Sequence, residues 1–448
     1  MKSLSYSLFA TSYQITEWFQ RRFTPLGVGA LACLLVTAIV GVDTKQTMAY
    51  QVFAFILSML LVAVLWSWCF SDRLSLTRAL PRLGTVGVKL RYSIAVENRT
   101  SKVQTGLQLK EEFADPRPTL GQFRRYLRSF SRKSRFVSLS VRYYRWLNLV
   151  KRNQGAILDK ATDIPTLQPR TTNKVTVELM PTRRGTVRLR GATILRSDPL
   201  GFFNACQTVS CPQSMLILPK RYQVPQFALP GTRKAQSGTV SLASSVGDSA
   251  EFMSLRDYRP GDPLRKIHWK SWAKTDRPVV REEQAKHFVR HALVLDTFMR
   301  ATSNNLEIFE EVVSVAASFA CDLQTQESLL DLMFVADTAY TFTAGRSLGN
   351  TEQMLSILAG VQPCQEKSFQ NLSESVIKRS KLMSGCICVL LDWDEARQML
   401  IRYLESHRIP VLVLVVTDQE PKLSNEFARV NWLNPDNIQQ SLLKLKLR

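Results

Sequence analysis

The chain has 448 residues, enough for two or three domains that each bury a core of their own. Its 59 Lys and Arg residues against 37 Asp and Glu residues leave a net charge of +22, which favours anionic partners such as lipid headgroups, nucleic acid or acidic proteins. The eight cysteines show no paired spacing of the zinc-binding kind, and their use is typical of a reducing compartment.

Two apolar runs near the N-terminus predict a membrane hairpin. Residues 1–25 form a tail, and residues 26–42 and 48–70 are apolar stretches separated by a short turn. Basic residues flank the pair on both outer sides, at Arg21, Arg22, Arg73, Arg78 and Arg82. The positive-inside rule therefore predicts two spans with both ends in the cytoplasm. The alternatives are a cleaved signal peptide or a buried pair of helices in a soluble protein.

Residues 71–220 change to a strand-like pattern. Apolar and polar residues alternate over residues 86–96, 103–112, 174–180 and 186–195. Short strands between turns predict a β-sandwich of the immunoglobulin-like kind.

A basic insertion, residues 121–152, interrupts the predicted sandwich and contains no acidic residue. Aromatic residues are interleaved, and Phe123, Tyr126 and Phe130 would share one side of a helix. We expect this insertion to bind anionic lipid. An acidic protein, single-stranded nucleic acid and a disordered loop are the alternatives. The expected anion-binding residues are Arg124, Arg125, Arg128, Arg132, Lys133 and Arg135.

The densest grouping of charged, aromatic and turn-forming residues lies in residues 221–290, with its core at 251–283. Pro260 to Pro263 predict a turn. Arg265, Ile267 and Trp269 alternate, so on an extended segment they would share a face. A plain surface hairpin with Trp269 and Trp272 packed on the core is one interpretation. The candidate interaction residues are Arg256, Asp257, Tyr258, Gly261, Asp262, Arg265, His268 and Trp269.

This core resembles the signature of the bacterial domain-of-unknown-function 58 family, and Pro263, His268 and Lys274 depart from it. The matching residues are Glu251, Phe252, Leu255, Arg256, Tyr258, Gly261, Asp262, Arg265, Ile267, Trp269 and Ala273, with Arg183 to Gly185 and Ser197 to Phe203 upstream. The resemblance implies an inner-membrane protein that works with a MoxR-type AAA+ ATPase and other envelope proteins. Asp262 and Arg265 would then make charge-assisted bonds while Trp269 anchors the segment.

Strands and helices alternate over residues 291–448, which predicts a doubly wound α/β domain. Asp296 and Asp392 would lie at the carboxyl ends of two strands. The arrangement resembles a von Willebrand factor type A domain, but residues 296–300 lack both serines of that family's metal motif. Ser368 is the nearest hydroxyl of the middle loop. We therefore expect a degenerate site without a metal, in which Arg300 pairs with Asp296.

Common catalytic motifs for phosphate, dinucleotide, acyl-transfer and zinc chemistry are missing from the sequence. Asp257, Asp262 and His268 could form a general acid/base set, although no substrate pocket is indicated. The sequence therefore predicts a membrane-anchored, non-catalytic scaffold without a cofactor. A hydrolase or nuclease that uses this set, or a nucleic-acid or lipid binder acting through the basic insertion, is the alternative.

Overall fold

The computed structural model describes the chain except residues 1, 41–46, 69–72, 125–138, 159–160, 226–250, 263, 265–266, 285–289, 300–304, 326–328, 337, 345–347, 365–367, 419–429 and 446–448. The chain forms two compact units. The first unit comprises Met1–Arg221, Arg300–Ala317 and Leu355–Gln362, and the second comprises Tyr222–Met299, Ser318–Met354 and Pro363–Arg448.

Three helices open the first unit, at α1 (Lys2–Arg22), α2 (Pro25–Val40) and α3 (Thr47–Trp68). The stretch expected to be a tail is therefore helical over most of its length. Helices α2 and α3 pack against each other. Within the described residues, Met48–Ser67 is long and apolar enough to cross a membrane, whereas the apolar helix Pro25–Val40 is shorter.

The end of the basic insertion forms helix α4 (Leu139–Gln154) and packs on α1. Phe123 and Trp146 are fully buried in a cluster that includes Phe9 of α1. The rings of Phe9 and Phe123 meet edge to face, with centroids 6.2 Å apart. Phe123 therefore belongs to a protein core and is not part of a lipid-facing stripe.

Of the residues expected to bind anions in this insertion, the structure describes only Arg124. Arg124 is exposed. Tyr126, Phe130 and the remaining candidates lie outside the described residues, namely Arg125, Arg128, Arg132, Lys133 and Arg135.

Nine strands follow among the described residues of the first unit. They are β1 (Leu74–Ala79), β2 (Leu83–Thr85), β3 (Leu90–Asn98), β4 (Leu107–Phe113), β5 (Ala156–Leu158), β6 (Thr162–Ile164), β7 (Thr172–Pro181), β8 (Gly185–Ser197) and β9 (Asn204–Leu218). One sheet has the order β1-β3-β7-β5 and the other β2-β9-β8-β4-β6. Alternate residues of both sheets, such as Ile94, Leu109 and Ile217, share one hydrophobic core. The two sheets therefore form a β-sandwich, as the alternation predicts.

The sandwich also buries an ion pair between Arg78 on β1 and Glu111 on β4. The Arg78 Nε and Nη2 atoms donate to the two carboxylate oxygens at 2.8 and 2.6 Å, and Nη1 donates to the carbonyl of Cys211 at 2.6 Å. Both side chains are 1% exposed. Arg78 therefore neutralises a buried carboxylate and is not a charge at the membrane surface.

A turn of the sandwich contacts the start of α2. Asp198 braces this turn, because its carboxylate accepts from the backbone N–H groups of Leu200 and Phe203 at 3.1 and 2.7 Å. The hydroxyl of Thr24 donates to the carbonyl of Gly201 at 2.5 Å. A Cβ atom at Gly27 would overlap the carbonyl oxygen of Phe202, so only glycine permits this approach. We call this contact the anchor joint.

The later elements are β10 (Glu251–Asp257), α5 (Trp269–Thr275), β11 (Val279–Gln284), β12 (Arg290–Leu295), α6 (Asn305–Thr325), β13 (Leu329–Val335), β14 (Ala339–Ala344), α7 (Leu348–Gly360), α8 (Gln370–Arg379), β15 (Gly385–Leu390), α9 (Glu395–Ser406), β16 (Val411–Val416), β17 (Val430–Leu433) and α10 (Ile438–Leu443). Strands β10 and β11 pair as a separate antiparallel hairpin. The other strands form one sheet in the order β14-β13-β12-β15-β16-β17, with only β14 antiparallel to its neighbour among the described pairs.

Both faces of this sheet are covered. Ala292, Val294 and Cys388 pack with α8 and α9 in one core. Their neighbours Leu293 and Val389 point to the opposite face and are equally buried. This explains why these strands are continuous apolar runs, as in other mostly parallel sheets. The chain order reverses between β12 and β15, so the carboxyl ends of these two strands border a topological switch point.

Candidate functional site

The signature segment folds as a hairpin with a helix in its connection. Asp257 pairs with Val279 in the β10–β11 register. The backbone N–H of Tyr258 donates to Pro278 at 2.9 Å, and that of His268 donates to Val279 at 2.8 Å. Ile267 is buried and forms a bridge with Val280. The connection is thus tied to the hairpin at both of its ends.

Asp262 organises the turn of the connection. Arg256 donates to both Asp262 oxygens at 2.7 Å, and the backbone N–H of Arg259 donates to the same carboxylate at 3.0 Å. Gly261 supplies a positive φ of 107°, which other residues rarely adopt. The bonds from Arg256 and from the Arg259 backbone lower the pKa of Asp262 from 3.8 to about 2. Two parallel hydrogen bonds between an arginine and a carboxylate fix the relative orientation of the two side chains.

This geometry predicts a titration that can be measured. The Arg256–Asp262 contact should be present above about pH 4 and be lost as the pH falls towards 2, because the folded-state pKa lies below the ordinary value. In protein labelled at aspartate carboxyl carbons, one NMR resonance should have a midpoint near pH 2 and vanish in Asp262→Asn. Arg256→Gln should return that midpoint towards the ordinary value. A midpoint at the ordinary value in the wild type would contradict the contact.

Trp269 is 63% exposed, so it does not pack on the core as the surface-hairpin interpretation expects. Helix α5 begins at Trp269 and ends the extended stretch, which separates its side chain from that of the buried Ile267. Its ring stacks on Trp272, with centroids 5.2 Å apart and planes at 21°. Leu264 nearby in sequence is 67% exposed. The connection therefore exposes two apolar side chains, which we call the signature patch (Leu264 and Trp269).

The proposed acid/base set is not brought together by these contacts. The Nδ1 atom of His268 bonds the hydroxyl of Ser271 at 2.7 Å, one turn into α5. Asp262 is held by Arg256, and Asp257 is exposed at the end of β10. Arg265 lies outside the described residues.

The second candidate place is the switch point of the sheet. Asp296 directly follows β12 and is completely buried, and Asp392 follows β15. Backbone N–H groups of Phe298 and Leu391 donate to the Asp296 carboxylate at 3.0 and 3.1 Å. The fold thus places the two aspartates at neighbouring strand ends, as the sequence predicts.

Arg397, near the start of α9, occupies the place that a cation would take beside Asp296. Its Nε and Nη2 atoms lie 2.7 and 2.6 Å from Oδ2 of Asp296, and Nη1 donates to Asp394 at 2.5 Å. The guanidinium also lies over the ring of Phe369, 4.8 Å from its centroid. Arg300, the predicted partner, lies outside the described residues.

The electrostatics of this pair follow from burial and charge together. Burial alone lowers the pKa of Arg397, but the carboxylates of Asp296 and Asp394 outweigh it and hold that pKa above its usual value. Burial raises the pKa of Asp296, against the opposing effect of Arg397 and the two backbone donors. We regard the pair as ionised because three hydrogen bonds converge on this carboxylate and a second guanidinium nitrogen of Arg397 lies 2.6 Å from it.

The donors at the switch point do not fit a magnesium ion. The hydroxyl of Thr297 donates to the Val335 carbonyl at 2.5 Å, and that of Ser368 accepts from the Gln370 backbone at 3.3 Å. Among the described residues no group of three or more His, Cys, Asp or Glu side chains could hold a metal. With a guanidinium beside Asp296, the side chains described at this site do not provide the oxygen ligands that an octahedral ion needs.

Both places fall inside one family match. Residues 254–426 match the model of the family described as protein of unknown function DUF58. This stretch belongs to the DUF58 family. The DUF58 segment contains the Arg256–Asp262 turn, the signature patch and the Asp296–Arg397 pair. No curated protein matches the chain.

Similar solved structures cover about a third of the chain. The CARDB domain of a Pyrococcus furiosus protein, in complex with di-metal ions, is 12% identical over 33% of this chain and 89% of its own, with a TM-score of 0.18. A mutant of Salmonella alpha-2-macroglobulin is 14% identical over 36% and 8%, with a TM-score of 0.20. The ASH / PapD-like domain of human CEP192 is 8% identical over 33% and 87%, with a TM-score of 0.18.

Proposed function

We propose that this protein is a membrane-anchored, non-catalytic adaptor that binds a partner protein through the signature patch. The observation that carries the proposal is the exposure of Trp269 on a connection whose two ends are bonded to the hairpin. Tryptophan is enriched among the residues that dominate binding energy at protein interfaces.

The residues around the signature patch hold it in a fixed conformation, which favours binding without rearrangement of the patch. The bidentate Arg256–Asp262 bond fixes the turn before Leu264, and Trp272 stacks behind Trp269. A side chain that is already held in its bound orientation loses less entropy on association. The exposed lysines Lys270 and Lys274 on α5 favour a partner with acidic residues at the rim of its binding site.

The partner class and the location belong to the same proposal. We propose a MoxR-type AAA+ ATPase as the partner, together with other envelope proteins, because the resemblance of the signature segment to the domain-of-unknown-function 58 family implies it. We propose that α2 and α3 form a two-span hairpin in the bacterial inner membrane; the long apolar stretch Met48–Ser67 of α3 supports one span, and α2 is a shorter apolar helix packed against it. Basic residues on both outer flanks support placing the termini and the folded parts in the cytoplasm.

The finer fold assignments are also proposed. We take the sandwich as immunoglobulin-like. We take the sheet ordered β14-β13-β12-β15-β16-β17 as von Willebrand factor type A-like. In this interpretation Arg397 replaces the metal ion, so the switch point keeps its shape without a bound cation. Its role is then structural, and recognition is left to the signature patch.

Affinity capture from detergent-solubilised membranes tests the adaptor function. Trp269→Ala should lose an AAA+ ATPase that the wild type retains, while its abundance stays unchanged because the side chain is exposed. Tyr340→Ala is the matched control, since Tyr340 is an exposed aromatic residue on β14. Equal recovery of the ATPase with both variants would reject the patch as the docking surface, and its absence from the wild type would reject the ATPase as partner.

A further inference from the structure

Helix α1 has apolar side chains on two opposite faces. The inner face carries Tyr6, Phe9 and Tyr13, which pack on Phe123 and Trp146. Its last turn is tied to the sandwich as well, since Arg21 donates to Glu112 at 2.6 Å. The inner face thus needs no other partner to explain its aromatic residues.

The outer face carries a second apolar stripe. Leu8, Ile15 and Trp18 are 58%, 62% and 53% exposed. At about 100° per residue they fall within one sector of the helix, about 180° from the centre of the inner face. The acidic residue of α1 is turned elsewhere, because Glu17 bonds Arg21 at 2.8 Å and Tyr13 at 3.0 Å. We call this face the outer stripe (Leu8, Ile15 and Trp18).

The outer stripe leads directly to the membrane helices. Helix α1 ends at Arg22 and α2 begins at Pro25. The guanidinium of Arg22 lies 5.5 Å from the ring centroid of Trp18. Arginine and tryptophan are both typical of the headgroup level of a membrane. Two further exposed leucines lie at the anchor joint, Leu26 on α2 and Leu200 on the sandwich turn. Exposed apolar side chains are therefore present on α1, at the joint and on α2.

We propose that α1 is an interfacial helix whose outer stripe lies in the bilayer at the boundary between headgroups and acyl chains. The inference rests on the membrane anchoring proposed above. A bilayer is favoured over a second copy of the chain because α1 ends only two residues before α2, which brings its last turn to the membrane surface in any anchored state. An apolar stripe that contains a tryptophan and has an arginine beside it is the pattern of helices that lie in the interface.

This arrangement turns α4 away from the lipid. Trp146 and Val150 of α4 face the aromatic cluster that they share with α1. Tyr144, which is 69% exposed, lies on the opposite side of α4. The membrane contact is therefore assigned to α1 rather than to this end of the basic insertion.

Photocrosslinking in lipid nanodiscs tests the assignment. The full-length protein is reconstituted in phosphatidylcholine with phosphatidylglycerol, with p-benzoylphenylalanine placed singly at the positions of Ile15, Tyr144 or Phe55. All three side chains are exposed, so none of the changes should disturb folding. Phe55 lies in α3 and reports whether the anchor spans the bilayer. Adducts are identified by mass spectrometry.

We expect lipid adducts at positions 15 and 55 and no lipid adducts at position 144. Lipid adducts at 55 but not at 15 would overturn the interfacial helix and leave the proposed anchor intact. A crosslinked dimer at position 15 would assign the outer stripe to a second copy and also overturn the inference. Equal lipid labelling at 15 and 144 would overturn the orientation. Failure of labelling at 55 would overturn the anchor, and the inference with it.

Discussion

Arg397→Met should destabilise the six-stranded sheet by about 3–5 kcal/mol, because it leaves the Asp296 carboxylate buried without its cation. The Arg397 side chain is 5% exposed and that of Asp296 is completely buried, so water cannot replace the lost partner. The two backbone donors to Asp296 remain in the variant, but they do not neutralise its charge. Protonation of Asp296 would limit the loss at low pH.

Hydrogen–deuterium exchange of peptides from β12 and β15 measures this effect as the free energy of local opening. Arg402→Met is the matched control, since Arg402 is exposed on the same helix and its change should stay within about 0.5 kcal/mol. A second change, Asp296→Asn, should recover much of the loss when combined with Arg397→Met. Exchange in Arg397→Met that equals exchange in the control would show that the pair contributes nothing.

Arg78→Met should destabilise the β-sandwich to a similar extent, about 3–5 kcal/mol, because Glu111 then remains as an unpaired buried charge. Burial already raises the pKa of Glu111, against the opposing effect of Arg78. The variant should therefore lose less stability at acidic pH. A carboxyl group whose folded-state pKa is raised binds its proton more readily when folded, so folding gains as the pH falls through that pKa.

An exposed pair in the same sandwich provides the comparison. Arg91 bonds Glu178 at 2.6 Å, but its side chain is 73% exposed. Arg91→Met should cost about 0–1 kcal/mol. Exchange of peptides from β1, β3 and β4 gives both values in one experiment. Equal losses of stability in Arg78→Met and Arg91→Met would show that burial does not set the effect. An Arg78→Met/Glu111→Met double variant that is as stable as the wild type would support the role of burial.

The regular elements could be predicted because each has a local pattern. The β12 sequence HALVL and the β15 sequence GCICVL are continuous apolar runs, which suits strands covered on both faces. The alternation in β3 suits a strand with one buried face. Asp296 and Asp392 could be placed at neighbouring strand ends for the same reason.

The partners of these residues could not be read from local patterns. Arg397 bonds Asp296 across 101 positions in the chain, and only the fold joins them. One signal was available, since Asp394 and Arg397 have the spacing of a helix N-cap and its third residue. Alternation misplaced Trp269 because it assumes one backbone geometry throughout, whereas a helix begins at that residue. Helix α1 was missed because its two apolar faces give no single stripe.

The anchor joint gives the sandwich a second attachment to the proposed membrane hairpin. The chain itself provides one attachment, where α3 leads towards β1. The Thr24–Gly201 bond and the close approach of Gly27 to Phe202 provide another at the start of α2. A body tethered at one point can swivel, whereas a body held at two points resists torque about either of them. A pull on the sandwich would therefore be shared between α2 and α3.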